Sequence, residues 1–146
     1  MVEVRGATVE DVAGLCALLV QLPVDSPGDV PIERAREVLP AILDQDARLL
    51  LVACDGDRIV GTADVVVEPN LTHGGRPYAN VENVVVDESV RGQGIGRALM
   101  EAAIAHARAH GCYKISLTSN LARTAAHQLY ESLGFEASAH GYRLYF

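Results

Sequence analysis

Gly92, Gly94 and Gly96 alternate between a strand-like run over residues 81–86 and an amphipathic segment that opens at Ile95. Glycine leaves no side chain between backbone and ligand, and the first-turn amides of a helix have no intrahelical acceptor. A strand, a glycine turn and a helix N-terminus in that order suit a phosphate group. The plain alternative is a glycine-rich connection that binds nothing. A nucleotide P-loop needs Lys and then Ser or Thr after its last glycine, whereas Arg97 and Ala98 follow Gly96 here. A dinucleotide turn is Gly-x-Gly-x-x-Gly, so the third glycine falls one residue early. The next strand, expected over 113–118, also runs into Ser119 and Asn120 instead of the carboxylate that would take a ribose hydroxyl.

The rest of the chain must hold that turn in place. At 146 residues and about half apolar composition (49% hydrophobic), the chain is expected to form a single domain over 1–146. Apolar spacing predicts a strand over 2–5, then a helix after Thr8 and Asp11 with Val12, Leu15, Cys16 and Leu19 on one face. That helix should end near Pro23, before a turn-rich segment at 23–29. Pro31 opens a second helix, which Pro40 should kink or end early. Residues 48–54 and 58–67 read as an antiparallel pair joined at Asp55-Gly56. A polar loop precedes the 81–86 strand. A helix over 94–110, a strand over 113–118, a helix over 122–133 and two strand segments between 134 and 146 complete the order βααβββαβαββ. The strand-helix-strand unit at 81–118 implies a parallel pair inside a mixed sheet.

Composition narrows the partners. Twelve Lys and Arg against nineteen Asp and Glu give a net charge of −7, which disfavours a nucleic-acid backbone and suits a cationic amine. No apolar run is long enough for a membrane span, and the N-terminal residues lack a signal-peptide pattern, so a cytoplasmic protein with no membrane partner is expected. The three cysteines are odd in number and widely spaced, as reduced packing residues would be, and no metal site is expected.

Arg91-x-x-Gly94-x-Gly96 at this junction resembles the acyl-CoA motif of the GNAT N-acetyltransferase superfamily, Gln/Arg-x-x-Gly-x-Gly/Ala. Tyr130 followed four and five residues later by Gly134-Phe135 is similar to the C-terminal signature of that family, and the element order agrees over nearly the whole chain. Residues 111–115 resemble the glucosamine-6-phosphate N-acetyltransferase branch, and Asn-Leu-Thr, Arg-Pro-aromatic and Glu-Asn-Val-Val blocks resemble uncharacterised bacterial members. The implied fold is α/β (α+β): a mixed, mostly antiparallel sheet with a central, splayed parallel strand pair flanked by helices.

The resemblance implies an acetyl-CoA-dependent N-acetyltransferase acting on a small-molecule primary amine by direct transfer, with no metal. A protein amine as acceptor, or a non-catalytic acyl-CoA sensor, are the alternatives, and a homodimer is compatible with the family. Position by position, the amides of Arg91, Gly92, Gln93, Gly94, Ile95, Gly96 and Arg97 would hold the coenzyme A pyrophosphate. The edge of Val84, Val85 and Val86 would pair with pantetheine, and Asn120 would sit near the coenzyme. Glu82 reads either as the base, directly or through water, or as a structural carboxylate paired to backbone or to an arginine such as Arg76. Strict alternation would put it on the face of Val84 and Val86 unless a bulge redirects it. Tyr130 matches the family tyrosine that donates the proton to the departing thiolate, with pure packing as its other reading. Asn83 would organise hydrogen bonds, and His73, Arg76 and Tyr78 would contact the acceptor.

Overall fold

A computed structural model describes residues 1–22 and 29–146; of the turn-rich segment expected at 23–29, all but Asp29 lies outside the described residues. The chain opens with β1 (Val2–Gly6), then α1 (Val12–Leu19) and α2 (Ile32–Leu43). One buried carboxylate joins β1 to α1. Asp11 accepts the Thr8 amide at 2.7 Å and both terminal guanidinium nitrogens of Arg5 at 2.8 and 2.9 Å. Pro40 does not end α2, which continues to Leu43. Only the last turn follows the proline, so the hydrogen bond it removes interrupts little.

β2 (Leu49–Asp55) and β3 (Arg58–Glu68) form the expected hairpin, with Asp55 paired to Arg58 across Gly56-Asp57. β4 (Tyr78–Val86), α3 (Ile95–Ala109), β5 (Ile115–Leu117) and α4 (Thr124–Ser132) follow. The sheet runs β1-β2-β3-β4-β5, antiparallel except for the parallel β4–β5 pair that α3 connects. Both faces of the sheet are covered. Leu51, Ala53, Ala63 and Val65 lie with Leu99, Met100 and Ala103 of α3 and Tyr130 of α4, while Val52, Cys54 and Ile59 lie with Leu15 and Leu18 of α1 and Leu39 of α2. Burial on both sides explains why β2 and β3 read as near-continuous apolar runs in place of an alternating pattern.

The two strands expected between residues 134 and 146 do not form. β5 is only three residues long and offers little edge to pair with. The chain instead passes its end through single contacts. Arg143 Nη2 donates to Thr118 Oγ1 at 3.1 Å, and Gly141 lies so close that a Cβ there would meet Thr118 Cγ2 at 3.2 Å. Tyr142, Leu144 and Phe146 remain exposed.

Candidate active site

The glycine turn forms as a bare cradle. Gly92 and Gly94 have φ of +77° and +82°, a region that side chains rarely adopt, and a Cβ at either would meet nothing within 4 Å. Gly94 caps α3, and Ala98 is the first amide of the helix to bond back, to the Gly94 carbonyl at 3.1 Å. Among the described residues, the amides of 91–97 ahead of it bond to no backbone carbonyl outside the helix. Gly96 has a different role: a Cβ there would press on Leu129 Cδ2 at 3.2 Å, so its lack of a side chain lets α4 close on α3.

Neither arginine of the turn is idle. Arg91 Nε donates to the Val86 carbonyl at 3.0 Å, while Arg97 reaches Ser132 Oγ and Glu101. Asp87 braces the strand side of the turn by accepting Ser89 Oγ at 2.6 Å and Ser89 N at 2.9 Å. Those bonds hold its carboxyl well below the usual carboxylate range, with Gln21 and Arg58 helping.

β4 carries the next two features. Its ladder to β5 spans only Ala79–Ile115, Asn80–Ser116 and Val81–Leu117, so residues 82–86 run on without a β5 partner. This is the splayed pair expected from the resemblance, and it leaves Val84, Val85 and Val86 on an open edge. Against β3, Thr62 pairs with Val85 but Asp64 pairs with Glu82, so β4 holds one extra residue there. Asn83 occupies the bulge with φ of +55°. The extra residue reverses the alternation: Val81 faces α3, whereas Val85 joins the cluster under α1 and α2 and Val84 and Val86 pack towards α3. Glu82 therefore does not share the face of Val84 and Val86. It lies opposite Asp64, exposed, and in no ion pair among the described residues.

Tyr130 approaches from the α3 side. It is 6% exposed and meets Phe135 edge to face at 6.0 Å, which joins the two ends of the tyrosine signature. Burial pushes its phenol above the ordinary value, with the Arg123 charge pulling the other way, so it stays protonated across the neutral range. Its hydroxyl has no hydrogen-bond partner among the described residues. Two residues beyond the end of β5, Ser119 Oγ is buried without a partner among the described residues. Asn120 is engaged in the turn into α4: its Oδ1 accepts Ala122 N at 2.9 Å and its carbonyl accepts His127 Nε2 at 2.9 Å.

His73, Arg76 and Tyr78 are not brought to the glycine turn. They cluster at the opposite end of β4, near the C-terminal end of α3. Arg76 donates to the Gly111 and Cys112 carbonyls at 3.2 and 3.0 Å, and His73 stacks on Tyr113 at 3.7 Å. Arg76 is thus not the partner of Glu82. Sequence reasoning passed over Asp64, although a carboxylate inside the run Ala63-Asp64-Val65-Val66 was a visible signal. Asp64 is 3% exposed and held by Arg48, with Nε to Oδ1 at 3.0 Å. That carboxylate raises the Arg48 guanidinium further.

The β4 edge over 84–86 and the amides of 91–97 are where the family resemblance puts coenzyme A. The pyrophosphate would lie on the amides of 91–97, and pantetheine would pair with 84–86. Residues 17–135 match the Acetyltransferase (GNAT) family. The chain belongs to that family. An acetyltransferase of Trypanosoma brucei of known structure superposes over the full length of both chains with a TM-score of 0.86 and 31% identity. The glucosamine-6-phosphate N-acetyltransferase of Arabidopsis thaliana superposes with a TM-score of 0.89 and 25% identity, over 100% of this chain and 99% of that one. The glucosamine 6-phosphate N-acetyltransferase of Trypanosoma brucei brucei is 42% identical over 87 residues, which are 60% of this GNAT chain and 57% of that enzyme. The chain thus spans less than two thirds of that relative's length.

Proposed function

We propose that this GNAT protein transfers an acetyl group from acetyl-CoA to the primary amine of a small molecule by direct transfer, working in the cytoplasm. The observation that carries this reading is the edge of β4 over residues 82–86 that β5 leaves unpaired, bent at Asn83 and ending in the glycine cradle. Acetyl-CoA supplies an acetyl group activated as a thioester. The protein supplies position and proton handling. Backbone amides of 91–97 hold the pyrophosphate, and the strand edge orients the acyl end in the gap between β4 and β5. Glu82 takes the proton of an incoming ammonium, directly or through water, from the α1–α2 side of the sheet. Tyr130, protonated and set on the α3 side, donates to the departing thiolate. The two groups work from opposite faces, and the splay lets them reach one reacting centre. No cysteine falls on a motif position, which favours direct transfer over an acyl-enzyme.

The test has two readouts. Coenzyme A should raise the melting temperature, and acetyl-CoA with a panel of primary amines should release free thiol. Stabilisation by coenzyme A without thiol release from any amine would favour the sensor reading. Absence of stabilisation would overturn the assignment itself.

A further inference from the structure

A cavity of about 150 Å³ lies between α1, α2 and the sheet, on the face to which the bulge turns Glu82. Leu15 and Cys16 of α1, Val38 and Leu39 of α2 and Leu50 of β2 are among its walls. Among the described residues, the polar side chains on its lining, Cys16 aside, are Thr62, Asp64 and Asn83, at the end nearest the bulge. Two of these are already engaged: Thr62 Oγ1 donates to the Leu51 carbonyl at 2.7 Å, and Asp64 is held by Arg48. That leaves Asn83 on the lining, with Glu82 beside it on the strand.

We propose that this cavity seats the acceptor, and that the acceptor is a primary amine on an apolar body, a short alkyl chain or a phenyl group, with its nitrogen emerging at the bulge beside Glu82. The inference rests on the acetyltransferase reading above and names the substrate class for the same site. A mostly apolar pocket of this volume has room for a benzene-sized group, and it opens at the bulge end, where Asn83 is exposed. An amino sugar would bring several hydroxyls against walls where, among the described residues, Asn83 is the one polar side chain not already engaged, and each hydroxyl buried without a partner weakens binding. Asp64 and Glu82 stand directly across the ladder, with Cβ atoms about 5 Å apart in such pairs. Arg48 neutralises Asp64, which leaves the Glu82 carboxylate to attract one ammonium and then to take its proton.

The experiment compares acetyl-CoA-dependent thiol release with methylamine, hexylamine, 2-phenylethylamine and glucosamine 6-phosphate, in the wild type and in Val38→Phe, which narrows the cavity from α2. Hexylamine should exceed methylamine in kcat/KM by about a hundredfold or more, since added methylenes in a fitting apolar pocket are each worth several-fold. Val38→Phe should lower that ratio about tenfold or more. A measurement on the wild type makes the test independent of whether the variant folds. Cys16 is a free, half-buried thiol on the cavity wall, and Cys112 is a free thiol at the far end of α3. Hexylamine should slow alkylation of Cys16 by N-ethylmaleimide but not that of Cys112, and glucosamine 6-phosphate should slow neither. Glucosamine 6-phosphate outperforming both apolar amines, or Cys16 alkylated at the same rate with and without hexylamine, would overturn the inference while leaving the acetyltransferase reading intact. Loss of stabilisation by coenzyme A would instead overturn the reading beneath it.

Discussion

Tyr130 is the side chain whose chemistry can be separated from its packing. Its ring is buried against Phe135, and its hydroxyl bonds to nothing among the described residues, so Tyr130→Phe orphans no partner. Stability should change by no more than about 0.5 kcal/mol. Loss of a general acid, by contrast, lowers kcat by about a hundredfold or more. Expected, then, is a folded variant that coenzyme A still stabilises and whose kcat is lost. Unchanged kcat would return Tyr130 to a packing role. Because the phenol lies above its ordinary value, about 10, its ionisation should not limit the wild-type rate anywhere in the neutral range. Gly94 offers a second separation. Its φ of +82° makes a side chain there cost about 1–2 kcal/mol, and a Cβ would project into the open space of the cradle. Gly94→Val should raise the dissociation constant for coenzyme A about tenfold or more by calorimetry, and unchanged affinity in a folded variant would exclude the cradle. The glycine turn and the tyrosine signature were legible because residue type alone carries them: no other residue takes those backbone angles freely. Nothing local announces that the side chain of Asn120 folds back on the Ala122 amide.

Among the elements, β4 decides how the site works, and its decisive feature was hidden. Val81, Val84, Val85 and Val86 read as a plain strand, and a bulge changes neither composition nor length. The one visible hint was Asn83 among valines, because Asn tolerates the left-handed region better than other non-glycine residues. The bulge sends Glu82 to the α1–α2 face while Val84 and Val86 stay towards α3, so Glu82 and Tyr130 lie on opposite sides of the sheet. Asn83→Gly should be tolerated within a few tenths of a kcal/mol. Asn83→Val should cost about 1–3 kcal/mol through backbone strain. If the valine instead drives the bulge out of β4, Glu82 and the coenzyme edge shift register together. Activity should then fall at least about tenfold in Asn83→Val and hold in Asn83→Gly. Equal activity in the two would show that the bulge does not serve the reaction.

At the scale of the whole molecule, the order of elements was readable up to α4 because each sheet strand and helix carries its own periodicity. The expected C-terminal strands do not form, because pairing depends on an edge and β5 is too short to supply one, and Tyr142, Leu144, Tyr145 and Phe146 stay exposed. The opposite end of the chain is tied in by one carboxylate. Asp11 clamps Arg5 of β1 and the Thr8 amide at the start of α1, and those bonds hold its carboxyl below the usual carboxylate range, the Arg5 bond foremost. A carboxyl whose folded value lies below its unfolded value, near 3.9, stabilises the fold above that pH. The contribution fades as the pH falls through 3.9 towards the folded value. Asp11→Asn keeps the shape but removes the charge, and at pH 7 should cost about 2 kcal/mol, or about 4–8 °C in melting temperature for a domain of this size. Below about pH 4 the deficit should shrink, because the wild-type carboxyl is protonating too. Melting curves of the two proteins should therefore keep their separation down to about pH 4 and draw together only below it, and a constant separation down to the lowest pH would mean that Asp11 contributes shape alone.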